Sequence, residues 1–301
     1  VMGYTSIIHT PVVTGLYTIL LPTVLFALVG SSRLLVVGAD SATAAVVAAG
    51  LTGLAMAGVT PGSEAWLTWC SLIALICGGL LLLARLLRLG FLGDFLSSSV
   101  LIGFLTGVGI QVLTGQVPAL LGIGGSAGPW AAQQWDVLMA LPGTSLTTLA
   151  VGAGAIALIL GFRRFAPRVP GAIVAVVLAI LAARLMDLGS HGVALVGAVA
   201  GGLPRLGLPQ GVAWSEVPRV LGIAVSCAVL VLAQSAATSR SFALRHGRKV
   251  DLDQDLLGLS LANLGAGLSG TFVVNGSPTK TEVLDSQHGR SQVANLTMSA
   301  V

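Results

Sequence analysis

Val36-Val37-Gly38-Ala39-Asp40-Ser41-Ala42-Thr43-Ala44-Ala45-Val46-Val47 sets a carboxylate at the mouth of an otherwise small and apolar helix. Glycine, then Asp-Ser, then an alanine-rich continuation is a helix N-terminus with Asp40 or Ser41 as its cap. The flanking segments are so apolar that this cap is expected inside a membrane, where helices break only against a protein-lined site or cavity. A second polar break, Val274-Asn275-Gly276-Ser277-Pro278-Thr279-Lys280-Thr281, lies toward the other end of the chain. The expectation is that the two breaks face one another across a substrate site.

The surrounding composition supports the membrane setting. Of 301 residues, 55% are hydrophobic and 9% charged, with mean hydropathy +0.95; a soluble domain carries about 25% charged residues. The chain is therefore an all-α polytopic membrane protein in contact with lipid. Forty glycines suit close helix packing in lipid. The net charge of +4 is read through the distribution of Lys and Arg among loops, so no nucleic-acid partner is expected. Cys70, Cys77 and Cys227 are scattered in apolar segments and form neither a disulfide framework nor a metal spacing. His9, His191, His246 and His288 make no local ligand cluster, and no phosphate loop, dinucleotide fingerprint, HExxH or nucleophile elbow occurs. Neither an enzyme nor a cofactor is expected. No signal peptide is visible, and both ends read as cut, so the chain is expected to be a fragment of a longer transporter-like protein.

Working outward, an initial helix remnant precedes an apolar run, Val12–Val29, read as one spanning helix that tolerates Pro22. Gly30-Ser31-Ser32-Arg33 is a turn, and the opening stretch continues as a helix to about Met56. Further spans are placed at about 66–87, 95–121, 145–162, 171–186 and 217–238. Trp130, Trp135 and Asp136 fall in a loop, the tryptophans as interfacial anchors. A polar hairpin with Asp251, Asp253 and Asp255 and a short helix over about 256–268 lead to the second break. The total is ten spanning or half-spanning segments and the start of an eleventh. Basic residues concentrate in alternate connections, at Arg33, at Arg85 and Arg88, at Arg163, Arg164 and Arg168, at Arg240 to Lys249, and at Arg290, while the intervening ones hold Glu64, Asp136 and Arg205, with Arg184 near one span end as an exception. The positive-inside rule then puts the basic set, and the N-terminal end, on the cytoplasmic side of the cell inner membrane.

Several stretches together resemble the SulP, or solute carrier 26, family of inorganic anion transporters. They are Gly15-Leu16-Tyr17, Gly30-Ser31-Ser32-Arg33 and Val37-Gly38; Gly90-Phe91-Leu92-Gly93-Asp94-Phe95-Leu96-Ser97 with Gly103-Phe104 and Gly107; and Phe242-Ala243-Leu244-Arg245-His246-Gly247 through Asp255-Leu256, Ala262-Asn263 and the second break. The resemblance implies two inverted repeats of seven helices, divided between core and gate bundles, with half-helices three and ten holding an anion between their N-termini. This chain would hold the first repeat over 1–215, lacking the start of helix one, and the beginning of the second over 216–301. The later helices and any STAS domain would lie outside it, with homodimerisation through regions partly absent, and the piece alone would not transport.

Carried onto this sequence, the resemblance puts Gly38, Ala39, Ser41, Gly276, Ser277 and Lys280 at the substrate, with Lys280 where the family often has arginine. Gln234 stands on the eighth helix where the family commonly has a glutamate, and a neutral amide cannot take up a proton. Asp40 is an added carboxylate near the anion's position, leaving three readings: it carries the coupling proton, it binds a Na⁺ that travels with the anion, or it caps the half-helix and pairs with Lys280. The mechanism implied is secondary active transport by alternating access, coupled to H⁺ or Na⁺, of sulfate, bicarbonate or a similar small anion. A nucleobase or other neutral-solute or organic-anion symporter of the same fold, or an uncoupled anion channel, are the alternatives.

Overall fold

In a computed structural model of the chain, the described residues are 2–54, 59–90, 98–124, 130–166, 169, 171–195, 201–212, 215 and 217–300. The expected helix end near Met56, residues 91–97 of the resemblance, residues 125–129 and Arg168 lie outside them. The first elements are α1 (Met2–Ile8), α2 (Val12–Tyr17), α3 (Leu21–Val29), β1 (Val37–Gly38), α4 (Ser41–Leu54), α5 (Glu64–Leu86) and α6 (Ser98–Leu121). There follow α7 (Trp130–Ala140), α8 (Leu146–Phe165), α9 (Gly171–Leu185), α10 (Val217–Arg245), α11 (Leu252–Leu268), β2 (Asn275–Gly276), α12 (Pro278–Ser286) and α13 (Val293–Ala300). Counting α2 and α3 as one segment and leaving α7 aside, α1 to α12 supply the ten expected segments among the described residues, and α13 is the eleventh. Within those residues four helical stretches are long and apolar enough to cross a membrane: Val12–Val29, Glu64–Leu86, Leu146–Phe165 and Val217–Arg245.

Four local expectations are corrected. The run Val12–Val29 is two helices, interrupted over residues 18–20, with Pro22 in the first turn of α3, where its missing N–H costs no helical bond. The loop around Trp130 and Trp135 contains α7, and both indoles are exposed. Helix α10 continues to Arg245, so the basic stretch starts on the helix, where cations suit the C-terminal dipole. The aspartate-rich hairpin is the start of α11: Asp251 caps it by accepting from Gln254 N–H at 3.0 Å, and Asp253 and Asp255 occupy its first turn.

The chain forms two compact units, residues 1–106 with 199–301, and residues 107–198. The first takes elements from both sides of residue 216. Its centre is α11, packed on α5 and α3. Small residues permit that closeness: a Cβ on Gly78 would come within 2.9 Å of Leu264 N, and one on Gly267 within 2.7 Å of the Ser71 carbonyl. Helix α5 starts from Ser63, whose Oγ accepts from Trp66 N–H, with Glu64 in the first turn and Arg85 in the last. The three cysteines are buried and free, as packing residues are. The second unit contains α7, α8 and α9 and the later part of α6; its helices α8 and α9 pack on one another.

Candidate functional site

The two polar breaks meet. Strands β1 and β2 pair antiparallel, Val37 opposite Gly276 and Gly38 opposite Asn275. Ser277 N–H extends the ladder to the Val36 carbonyl at 2.9 Å, and Val36 N–H donates to Thr281 Oγ1 at 3.1 Å. Because the strands run oppositely and each leads directly into a helix, α4 and α12 leave the ribbon in opposite directions with their N-terminal ends turned toward it. Those ends carry main-chain N–H groups outside the helical ladders and the positive ends of two dipoles. Two residues per strand are a minimal sheet, and side chains from four other helices complete its hydrogen bonding.

Helix α10 supplies Ser235, whose Oγ donates to Asn275 Oδ1 at 2.9 Å and accepts from Gly276 N–H at 3.1 Å. Helix α11 supplies Asn263, which donates to the Val274 carbonyl and accepts from Val274 N–H, both at 3.0 Å. Helix α3 supplies Thr23, donating to the Val37 carbonyl at 2.7 Å, and the α2–α3 interruption supplies Thr18, accepting from Ala39 N–H at 3.3 Å. From α13, Asn295 donates to the Leu35 carbonyl at 3.2 Å. At Gly276 the backbone lies so close to this frame that an added Cβ would meet Ser235 Oγ at 2.8 Å and Leu35 at 2.9 Å.

Asp40, 5% exposed, is the cap of α4: its Oδ2 accepts from Ala42 N–H at 3.1 Å. Ser41 opens the helix rather than capping it. Lys280, in the first turn of α12, donates from Nζ to the Ala39 carbonyl across the ribbon, and Nζ lies 5.2 Å from the centre of the Tyr4 ring. The ammonium thus bonds to the backbone beside Asp40, and no ion pair joins it to the Asp40 carboxylate. Gly38 leaves room for it, since a Cβ there would sit 3.4 Å from Nζ. Ser277 and Thr279 share a hydroxyl contact of 3.1 Å at the N-terminus of α12.

Among the described residues, Gln234 Nε2 and Asn275 Nδ2 are buried amide nitrogens without a hydrogen bond of good geometry, and the Asn275 amide faces the Asp40 carboxylate. Gln234 is 1% exposed and directly precedes Ser235, while Asn275 is fully buried in β2. An unsatisfied buried donor costs roughly 1–3 kcal/mol, so the Asn275 amide in the ribbon and the Gln234 amide on α10 are each donors suited to an acceptor.

The structure thus gathers Gly38, Ala39, Asp40, Gly276, Ser277 and Lys280 at the ribbon, with Ser41 opening α4 and Gln234 beside the α10 contact. Elsewhere, Glu282 and Asp285 pair with Arg245, at 2.8 and 3.0 Å, and Asp285 with His246 at 2.7 Å. Phe26 is fully buried against Gly30 and Gly258, a packing role. Asn295, in a glycosylation-like triplet, is buried. Tyr4, Thr18, Thr23, Ser235 and Asn263 are contributors that sequence reasoning missed. Only the Thr18 and Thr23 pair carried a local signal, as polar residues beside the proline of an apolar run.

Asp255 is a further missed residue. It is 2% exposed, and its Oδ1 accepts from Ser31 N–H at 2.8 Å, Ser32 N–H at 2.9 Å and Ser31 Oγ at 3.0 Å. Its Oδ2 accepts from Ser239 Oγ at 2.8 Å and from Ser32 Oγ. One carboxylate thereby fixes the turn that leads into β1 to both α10 and α11. Among the described residues no group of three or more His, Cys, Asp or Glu is arranged to hold a metal ion.

With this geometry in hand, similarity to known proteins is informative. A family model described as the sulfate permease family matches residues 1–301. The chain is 31% identical over 295 residues to a probable sulfate transporter, MT1781, of Mycobacterium tuberculosis, covering 98% of this chain and 52% of that protein. Among solved structures, the murine Solute Carrier 26 family member A9 anion transporter in the inward-facing state superposes with a TM-score of 0.79 at 21% identity, covering 99% of this chain and 52% of that one. The transmembrane domain of a cyanobacterium bicarbonate transporter, BicA, gives 0.75 at 20% identity, covering 99% and 75%. At those identities the structures establish a shared fold. The chain spans about half the length of the curated relatives it matches.

Proposed function

The chain belongs to the sulfate permease family, and from that premise we propose that the protein moves a small inorganic anion across the membrane by alternating access, as a secondary active transporter. The observation that carries the reading is the convergence of two helix N-termini on one buried ribbon, with Lys280 and the Asn275 amide beside it. Exposed N–H groups, dipole ends and an ammonium favour an oxyanion. Gly38, Ala39, Ser41, Gly276, Ser277 and Lys280 form its contacts, and Gln234 and Asn275 offer amide N–H groups. Sulfate is the first candidate because relatives are described as probable sulfate transporters, and bicarbonate the second because a structure of this fold is a bicarbonate transporter.

Asp40 is the coupling group in this reading. Its Oδ2 is occupied by Ala42 N–H and among the described residues it makes no ion pair, so it has a reason to take up H⁺ or Na⁺ when an anion arrives. The basic connections face the cytoplasm and the membrane is the cell inner membrane. The test is uptake of labelled sulfate and bicarbonate into proteoliposomes holding the full-length protein, under imposed H⁺ or Na⁺ gradients. Saturable uptake driven by one gradient, and uncoupled from it in Asp40→Asn, is expected. Current that needs neither gradient and does not saturate would replace the transporter with a channel, and wild-type pH and Na⁺ dependence in Asp40→Asn would remove Asp40 from coupling.

A further inference from the structure

Away from the ribbon, the unit formed by residues 1–106 and 199–301 holds a cavity of about 330 Å³. Ligand pockets begin at about 300 Å³. One wall is the turn after α3, with Ser31, Ser32 and Arg33; the other is the end of α10 and the loop beyond it, with Ser239, Arg248 and Lys249. Leu34, Phe242 and Val250 add an apolar side. Three cations line the space, and no acidic residue is among the described lining residues.

The neighbouring carboxylate explains why that charge is available. Asp255 stands behind the serines and is saturated by their hydroxyls and by two N–H groups of the turn. It therefore pairs with none of the three cations. The serine hydroxyl hydrogens are spent on Asp255, on the Asp251 carbonyl and on one another, which leaves Arg33, Arg248 and Lys249 as the cavity's charged donors. Among the described residues Arg33 and Lys249 make no ion pair or hydrogen bond, and Arg248 reaches only the Arg290 carbonyl, at 3.5 Å. All three side chains belong to exposed residues, so each can turn inward without breaking a strong bond.

Two guanidinium forks and an ammonium around one concavity match the tetrahedral oxygens of a phosphate, and an adjoining apolar wall matches the carbon skeleton esterified to it. We propose that this cavity is a phosphate-binding site, taking the headgroup phosphate of an anionic membrane lipid or a free phosphate. It shares no residue with the ribbon and stands or falls independently of the transport reading.

The test measures retained phosphatidylglycerol by native mass spectrometry of the detergent-solubilised protein, against phosphatidylcholine, together with equilibrium binding of inorganic phosphate. The variants are Arg33→Gln/Arg248→Gln/Lys249→Gln and a charge-matched control, Arg163→Gln/Arg164→Gln/Arg184→Gln. The cavity variant is expected to lose about tenfold or more in binding, the worth of one charge-assisted bond, while the control stays within about twofold. Phosphatidylglycerol binding that inorganic phosphate displaces assigns the site to the lipid headgroup; phosphate binding without lipid retention assigns it to the free ion. A wild-type protein that binds neither, a folded cavity variant that still binds, or an equal loss in the control overturns the proposal. Should the triple variant fail to fold, Lys249→Gln alone, at an exposed position, is read by the same criteria.

Discussion

Helices α5 and α8 are both long and apolar enough to cross a membrane, yet α5 buries 56% of its most apolar stretch inside the protein and α8 buries none of it. The contrast extends to the units that hold them. Around α5, α10 and α11, buried polar groups such as Asp255, Asn263, Ser235 and Thr23 are hydrogen-bonded between elements. In the other unit, Ile159, Leu160, Ile173, Val176, Ile180 and Leu181 are exposed. In water such a surface would be a liability; in lipid it is neutral, because hydrocarbon tails are as apolar as leucine. Hydropathy therefore says that both helices are in the membrane, and burial says which one carries the polar framework.

The largest effect is expected at Asp255. Asp255→Ala strands the Ser31 and Ser32 N–H groups and the Ser239 hydroxyl, while Ser31 Oγ keeps the Asp251 carbonyl and Ser32 Oγ keeps Ser239 Oγ, and the thermal stability of the protein in micelles is expected to fall by about 3–5 kcal/mol. A fall of less than about 1 kcal/mol would mean that water takes over those donors and that the framework is not what holds this unit together. Next comes a matched pair of truncations. Leu259→Ala on α11, at 1% exposure, should cost about 2–4 kcal/mol, whereas Ile173→Ala on α9, at 63% exposure, should stay within about 0.5 kcal/mol. Equal costs would show that the exposed face of α9 is packed against something.

A third test moves from stability to the ribbon. Lys280→Gln removes the ammonium from the Ala39 carbonyl and is expected to lower anion uptake about 10–100-fold, the worth of one charged hydrogen bond of ~1.5–3 kcal/mol, with Lys280→Arg recovering part of it. Unchanged uptake kinetics would remove Lys280 from the substrate. The smallest effect is expected for Glu282→Gln. Its pair with Arg245 has both side chains about half exposed, at 54% and 47%, so unfolding measurements should detect no more than ~0.5 kcal/mol.

Much of the ribbon was legible in the sequence because its signals are local. A Gly-Ala-Asp-Ser and an Asn-Gly-Ser-Pro inside apolar surroundings have no reading except helix starts, and starts at membrane depth need a partner. The frame around the ribbon was not legible. Thr18 and Thr23 sit in a run whose hydropathy reads as one helix, and only the Ala39 N–H and Val37 carbonyl, brought in by the fold, reveal why it divides. Asp255 looked like one of three aspartates in a polar turn. Its burial depends on Ser31 and Ser32, more than 220 residues earlier, a pairing that no window over the sequence contains. Likewise Asp285 found Arg245 and His246 rather than the cations nearest in sequence.

The ribbon also constrains how the protein is made. Lys280 and the Ala39 carbonyl it bonds are 241 residues apart, so α4 enters the bilayer long before its strand partner exists. At the usual ~5–20 residues per second of synthesis, the interval is roughly 10–50 s. Throughout it the nascent chain carries an aspartate cap and an open strand edge at membrane depth. Biogenesis therefore has a vulnerable interval in which an insertase or an early helix must shield residues 36–43, and it closes only when α12 arrives.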